Sequence, residues 1–94
     1  MTSREALFDQ SEKAIAELEQ EWPTLPYLSS FREQVAYLRA VERGEETDRT
    51  RLIEINIGVI TAMDIEDRDA DVAVILHELA SVAHTMATEM RTVA

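Results

Sequence analysis

Leu52-Ile53-Glu54-Ile55-Asn56-Ile57-Gly58-Val59-Ile60-Thr61-Ala62-Met63 is the most apolar dozen residues of the chain, and its conformation decides the fold. At helical spacing, Leu52, Ile55, Val59 and Met63 form one stripe and Ile53, Ile57 and Ile60 a second. Nearly the whole circumference is then apolar, with only Glu54 and Thr61 favouring water. Such a helix belongs in the middle of other helices. At strand spacing, Ile53, Ile55, Ile57 and Val59 alternate with Glu54, Asn56 and Gly58, which makes a strand the rival. No second strand-like run exists to pair with it, and a lone strand leaves its backbone groups without partners. The stretch therefore predicts a helix, and with it an all-α fold: a single compact bundle of about four helices with a buried central helix.

The flanking sequence supplies the other three. Thr2 and Glu5 have capping-box spacing, so a first helix opens at Thr2 or Ser3. It runs to about Glu21 with Leu7, Ser11, Ala14, Ile15, Leu18 and Trp22 on one side. Pro23 and Pro26 interrupt the pattern, each lacking an amide hydrogen and disfavouring a helical residue before it. Trp22 and Tyr27, at the two ends of this stiff connection, either close the end of the core or stand as partner anchors. Ser30 and Glu33 repeat the capping-box spacing, and Leu28, Phe31, Val35, Leu38 and Val41 stand at three- and four-residue steps, a second helix that Gly44 ends. Thr47 or Asp48 caps the third. Gly58 inside that helix costs about 1 kcal/mol against alanine, which implies close approach of a neighbouring helix. Asp67 or Asp69 caps a fourth, whose inward side carries Val72, Ile75, Leu76, Leu79, Val82, Ala83 and Met86 and which frays near Arg91.

Composition narrows the function. Residues 1–94 fit one domain, with 46% apolar against 30% charged residues and two each of Gly and Pro, as expected of a few long helices. The net charge of −10 opposes binding to a phosphate backbone and favours a basic protein partner. With no cysteine there is no disulfide, thiolate nucleophile or Cys-ligated zinc. The N-terminus enters an amphipathic pattern directly, with no signal core and no membrane-spanning run, so the expectation is a cytoplasmic protein.

Three constellations resemble chemistry and fail on inspection. His77-Glu78-Leu79-Ala80-Ser81 begins as a zinc-protease helix does, but Ser81 stands where the second histidine belongs. His84 lies seven residues from His77, roughly 10 Å along a helix, too far to share one metal. Asp67, Asp69, Asp71 and Glu78 fit positions 1, 3, 5 and 12 of a calcium loop, yet Val72 replaces its glycine and the helical stripe begins there. No phosphate-binding glycine loop or nucleophile elbow occurs. The expectation is a protein without enzymatic activity, cofactor or metal.

From about Phe8 to His84 the layout resembles a family of small helical immunity proteins of bacterial type VI secretion systems, similar to the one that neutralises an NAD(P)+ glycohydrolase toxin. Gln34, Tyr37, Leu38, Arg39 and Val41 carry the likeness in the second helix, Asp48-Arg49-Thr50 with Leu52 at the start of the third, and Gly58 and Ile60 within it. The acidic turn from Asp64 to Asp67 follows at matching distance. Phe31 and Glu42 depart from the pattern, which expects a smaller and a more apolar residue there. The resemblance implies an all-helical cytoplasmic protein that blocks the active site of a cognate toxin, itself basic around that site. Candidate toxin contacts are the acidic connection Asp64, Glu66, Asp67 and Asp69, the loop residues Glu45 and Glu46, and Tyr37 if its ring points outward. The alternatives are immunity to another nucleotide-directed toxin, such as an adenosine nucleotide pyrophosphokinase, and a helical adaptor or homo-oligomerisation module. A nucleic-acid mimic needs carboxylates spaced along one face, and here they cluster at loops.

Overall fold

The computed structural model describes residues 3–93, with side chains through Glu89, and among these residues there is no strand. Ser3 opens α1 (Arg4–Glu21) by accepting the amide of Ala6 at 3.1 Å; the alternative start at Thr2 lies outside the described residues. Leu7, Phe8, Ser11, Ala14, Ile15 and Leu18, at steps of three and four, are all buried. The Ser11 hydroxyl satisfies itself inside the core by donating to the Leu7 carbonyl.

Helix α2 (Leu28–Glu42) begins two residues before the expected cap at Ser30, and no side chain caps it. Burial of Leu28 and the contact of the Tyr27 and Phe31 rings, 4.9 Å between centroids, draw the start toward Pro26. Ser30 instead takes a hydrogen bond from Gln34 Nε2. At the other end Gly44 adopts φ +76°, a left-handed conformation that side chains resist, while the amides of Glu45 and Glu46 close onto the Ala40 carbonyl.

The decisive stretch is helical, as its composition predicts, but not one rod. A 3₁₀ turn (Thr50–Glu54) ends at an extended Ile55, and helix α3 follows over residues 57–68. Its opening turn is Ile57–Ile60, its middle a π-helical stretch (Thr61–Ile65) and its last turn Glu66–Arg68. Asp48 Oδ1 holds the start of the 3₁₀ turn through the amide and hydroxyl of Thr50. The break has a tertiary cause. The amide of Asn56, which a continuous helix would turn on its own ladder, donates to Gln34 Oε1 at 3.1 Å, and Gln34 Nε2 returns a bond to Asn56 Oδ1 at 2.8 Å. Burial around the full circumference is also corrected: Leu52, Ile57, Thr61 and Ile65 are inside, but Ile53 is 67% exposed, Val59 63% and Met63 78%. One side of the segment faces solvent.

Helix α4 (Ala70–Val93) starts where Asp69 Oδ1 accepts the amide of Val72 and continues past Arg91. It packs against α1, against the 3₁₀ turn and against α3, while α2 lies on α1, so α4 holds the centre of the bundle in place of the fifties segment. Phe8, Ile15, Leu18, Phe31, Leu38, Ile57, Ile65, Leu76 and Leu79 are fully buried, so every helix contributes to one core. Arginines tie the outer seam of α1 and α2. Arg39 reaches Glu5, Asp9 and Glu12 at 2.7–3.0 Å, and Arg43 adds a second bond to Glu5. Glu42, polar where the resemblance expects an apolar residue, pairs with Arg4 at 2.9 Å.

Thr61, fully buried in the π stretch, has a hydroxyl with no hydrogen-bond partner. Thr61→Val keeps the shape and removes the unpaired oxygen, so it is expected to raise stability by about 1 kcal/mol. A fall in the urea midpoint would contradict this.

Candidate interaction surface

The structure divides the sequence-predicted contact residues into two groups. Glu45 and Glu46 follow the C-terminal end of α2, whereas Asp64 reaches Tyr27 just before its first residue. Fifteen residues of helix, about 22 Å, separate the two ends, so the carboxylates do not converge. Within the second group, Asp69 is the cap of α4 and Glu66 Oε1 lies 3.3 Å from His77 Nε2. Asp67 and Glu45 are exposed, and Glu46 is half-buried. Tyr37 turns inward: it is 8% exposed, its hydroxyl donates to the Asp48 carbonyl at 2.7 Å, and Arg51 covers its ring at 5.0 Å.

Asp64 is the most constrained of these acids. Its Oδ2 accepts the Tyr27 hydroxyl and Arg68 Nε, at 2.5 and 3.0 Å, and the Arg68 guanidinium lies 5.5 Å from the centre of the Trp22 ring. Trp22 and Tyr27 thus close the end of the core and anchor the acidic turn. The Tyr27 hydrogen bond first, then Arg68, holds the Asp64 carboxyl below its usual range. Burial first, then Asp64, pushes the Tyr27 phenol up to about 12. Because folding favours charged Asp64, its contribution is present above the ordinary carboxylate value of about 3.9 and is lost as pH falls through the lowered folded value. For Tyr27 the raised value works the other way: its contribution is whole below about 10 and fades as pH rises through about 12. Asp64→Asn is therefore expected to lower the melting temperature at pH 7 and to differ less from the native protein once acid has protonated the Asp64 carboxyl in the folded state as well. An equal deficit under both conditions would rule out the charged hydrogen bond as the cause.

The residues that carry the family likeness turn out to be ties between elements. Gln34 fixes Asn56, Tyr37 fixes the backbone at Asp48, and Arg39 gathers three carboxylates of α1. Gly58 allows α3 to meet α4, since a Cβ built there would stand 2.8 Å from Ala80 Cβ.

Sequence reasoning missed the surface beside that contact. Between the 52–59 segment and α4 runs a groove of about 490 Å³. Ala80, Ala83 and Ala87 truncate the α4 wall to methyl groups, and Leu52 and Ile55 line the opposite wall. Ile53 and Val59 stand exposed on one rim, His77 and His84 on the other. The signal was the apolar surplus around the whole 52–63 run, drawn from both stripes, which sequence reading assigned entirely to the interior. A smaller cavity of about 150 Å³ beside the Gln34–Asn56 tie is polar, lined by Ser30, Glu33, Arg51 and Glu54 among others.

Among the described residues no three His, Cys, Asp or Glu side chains are grouped to hold a metal ion, and residues 70–78 of the calcium-loop template lie in α4. Among the same residues no helix is long and apolar enough to cross a membrane. Neither the curated proteins nor the solved structures give a match to this sequence. The Tsi6 family model does, over residues 4–85, from the first residue of α1 through most of α4, and the chain accordingly belongs to the Tsi6 family of type VI secretion immunity proteins.

Proposed function

We propose that this protein protects the cell that makes it by seating on the active site of a cognate NAD(P)+ glycohydrolase toxin in the cytoplasm, with no catalysis of its own. Family membership over residues 4–85 is the observation that carries this reading. The charge distribution supports it. Arg4, Arg32, Arg39, Arg43 and Arg68 all engage the chain's own carboxylates, and the net charge is −10. An excess of negative charge accelerates association with a basic, nucleotide-binding cleft and discourages unlike partners. In this reading the exposed Glu45, Glu66 and Asp67 steer the encounter, with half-buried Glu46 beside them. Asp64, Asp69 and Tyr37 keep the surface in shape through their internal bonds.

The test is to mix the purified protein with the toxin domain encoded in the adjoining reading frame and to follow NAD(P)+ consumption. One equivalent is expected to stop hydrolysis. Continued hydrolysis under excess protein would sink the reading. Collapse of the adenosine nucleotide pool, with NAD(P)+ intact, would move the target to a pyrophosphokinase toxin.

A further inference from the structure

We infer that the groove between the 52–59 segment and α4 is the centre of the toxin contact, and that it takes a short apolar segment of the toxin flanked by lysine or arginine. This rests on the immunity reading above and adds which face of the protein is used and what it recognises. Of the four large apolar side chains left exposed among the described residues, Ile53 and Val59 form one rim of this groove. Among the described residues its lining contains no carboxylate, lysine or arginine, so an apolar side chain entering it displaces water without stranding a charge. The volume, about 490 Å³, lies within the range of roughly 300–1,000 Å³ in which pockets bury most of what they bind.

The charges around the groove define the occupant further. Glu66 stands against the rim histidine, His77, while Glu54, next to Ile53 in the chain, belongs to the polar cavity that it shares with Arg51. Apart from the two rim histidines, no lysine or arginine stands among the described lining residues to offset Glu66. A desolvated apolar centre inside a polar margin is the arrangement that concentrates binding energy at protein interfaces, and the net charge of −10 favours an occupant with basic flanks. A second copy of this chain is the poorer occupant, since it brings another −10 to the same margin.

The experiment measures the affinity of the same toxin domain for the native protein and for three variants, with urea unfolding to establish that each is folded. Ile53→Asp/Val59→Asp charges one rim, and His84→Trp fills the groove from the other without touching the core. Val74→Asp, at an exposed apolar site outside the groove lining, is the control. The expected result is weakening by about 30-fold or more for each groove variant and by no more than about threefold for the control. Should Ile53→Asp/Val59→Asp fail to fold, His84→Trp decides. Groove variants that bind as tightly as the native protein overturn the assignment of this face and leave the immunity reading standing. A native protein that does not bind the toxin overturns both. A self-associating protein whose dimer is lost in Ile53→Asp/Val59→Asp while toxin binding persists gives the groove to a second copy, and overturns the assignment as well.

Discussion

Gly58→Val is expected to lower folding stability by about 3 kcal/mol, read as a drop in the urea midpoint with an unchanged slope. The cause is local. A first methyl group at position 58 would already lie 2.8 Å from Ala80 Cβ, closer than real carbon atoms approach, and neither atom is the far end of a side chain that could swing aside. The two helices must separate, and the gap opens onto fully buried Ile57, Leu76 and Leu79. Gly58→Ala meets the same obstacle but recovers up to about 1 kcal/mol of helix propensity, so its cost is smaller. Valine adds two further methyl groups and restricted rotamers at a site with no room for the first. A midpoint equal to or above the native one would show that α3 and α4 are not in contact there.

Phe31→Ala is expected to cost about 3–5 kcal/mol. Its ring is 0% exposed and lies against Tyr27, whose hydroxyl in turn holds Asp64. Removing it creates a cavity at the point where α2 begins and loosens the link from α2 to the acidic turn. Against a total stability of about 5–15 kcal/mol, a loss of that size leaves a small margin at 37 °C. Phe31→Leu, which keeps most of the volume, should cost less than about 1.5 kcal/mol. Equilibrium unfolding of the two variants is the check, and equal costs for the two substitutions would mean that the ring fills no defined space.

Much of this architecture was legible in the sequence because local signals and tertiary structure agree. The steps of Leu7 to Leu18 and of Val72 to Met86 give α1 and α4 their buried faces. Gly44 stops α2, Asp69 starts α4, and Gly58 marks a close approach. The break at Ile55 and Asn56 was not legible, because its cause lies more than twenty residues away in the side chain of Gln34. A segment apolar on all sides also fits any rotational phase, so nothing local shows whether Ile53 and Val59 or Leu52 and Ile57 turn inward. For the same reason the candidate contacts were sought among the acids, which stand out in a sequence. A groove made of alanines and a glycine has no signature until its two walls are placed side by side.

The inward commitment of the arginines leaves this protein with an electrostatic pull that every cationic surface in a bacterium would feel. Ribosomal and DNA-packaging proteins offer such surfaces in abundance, so attraction of that kind cannot choose among them. On the groove assignment inferred above, discrimination rests on contour, on whether a candidate carries a protrusion that enters the alanine-walled channel. Cells holding several toxin pairs would then diverge fastest along that channel's edges, where side chains can change without disturbing the interior.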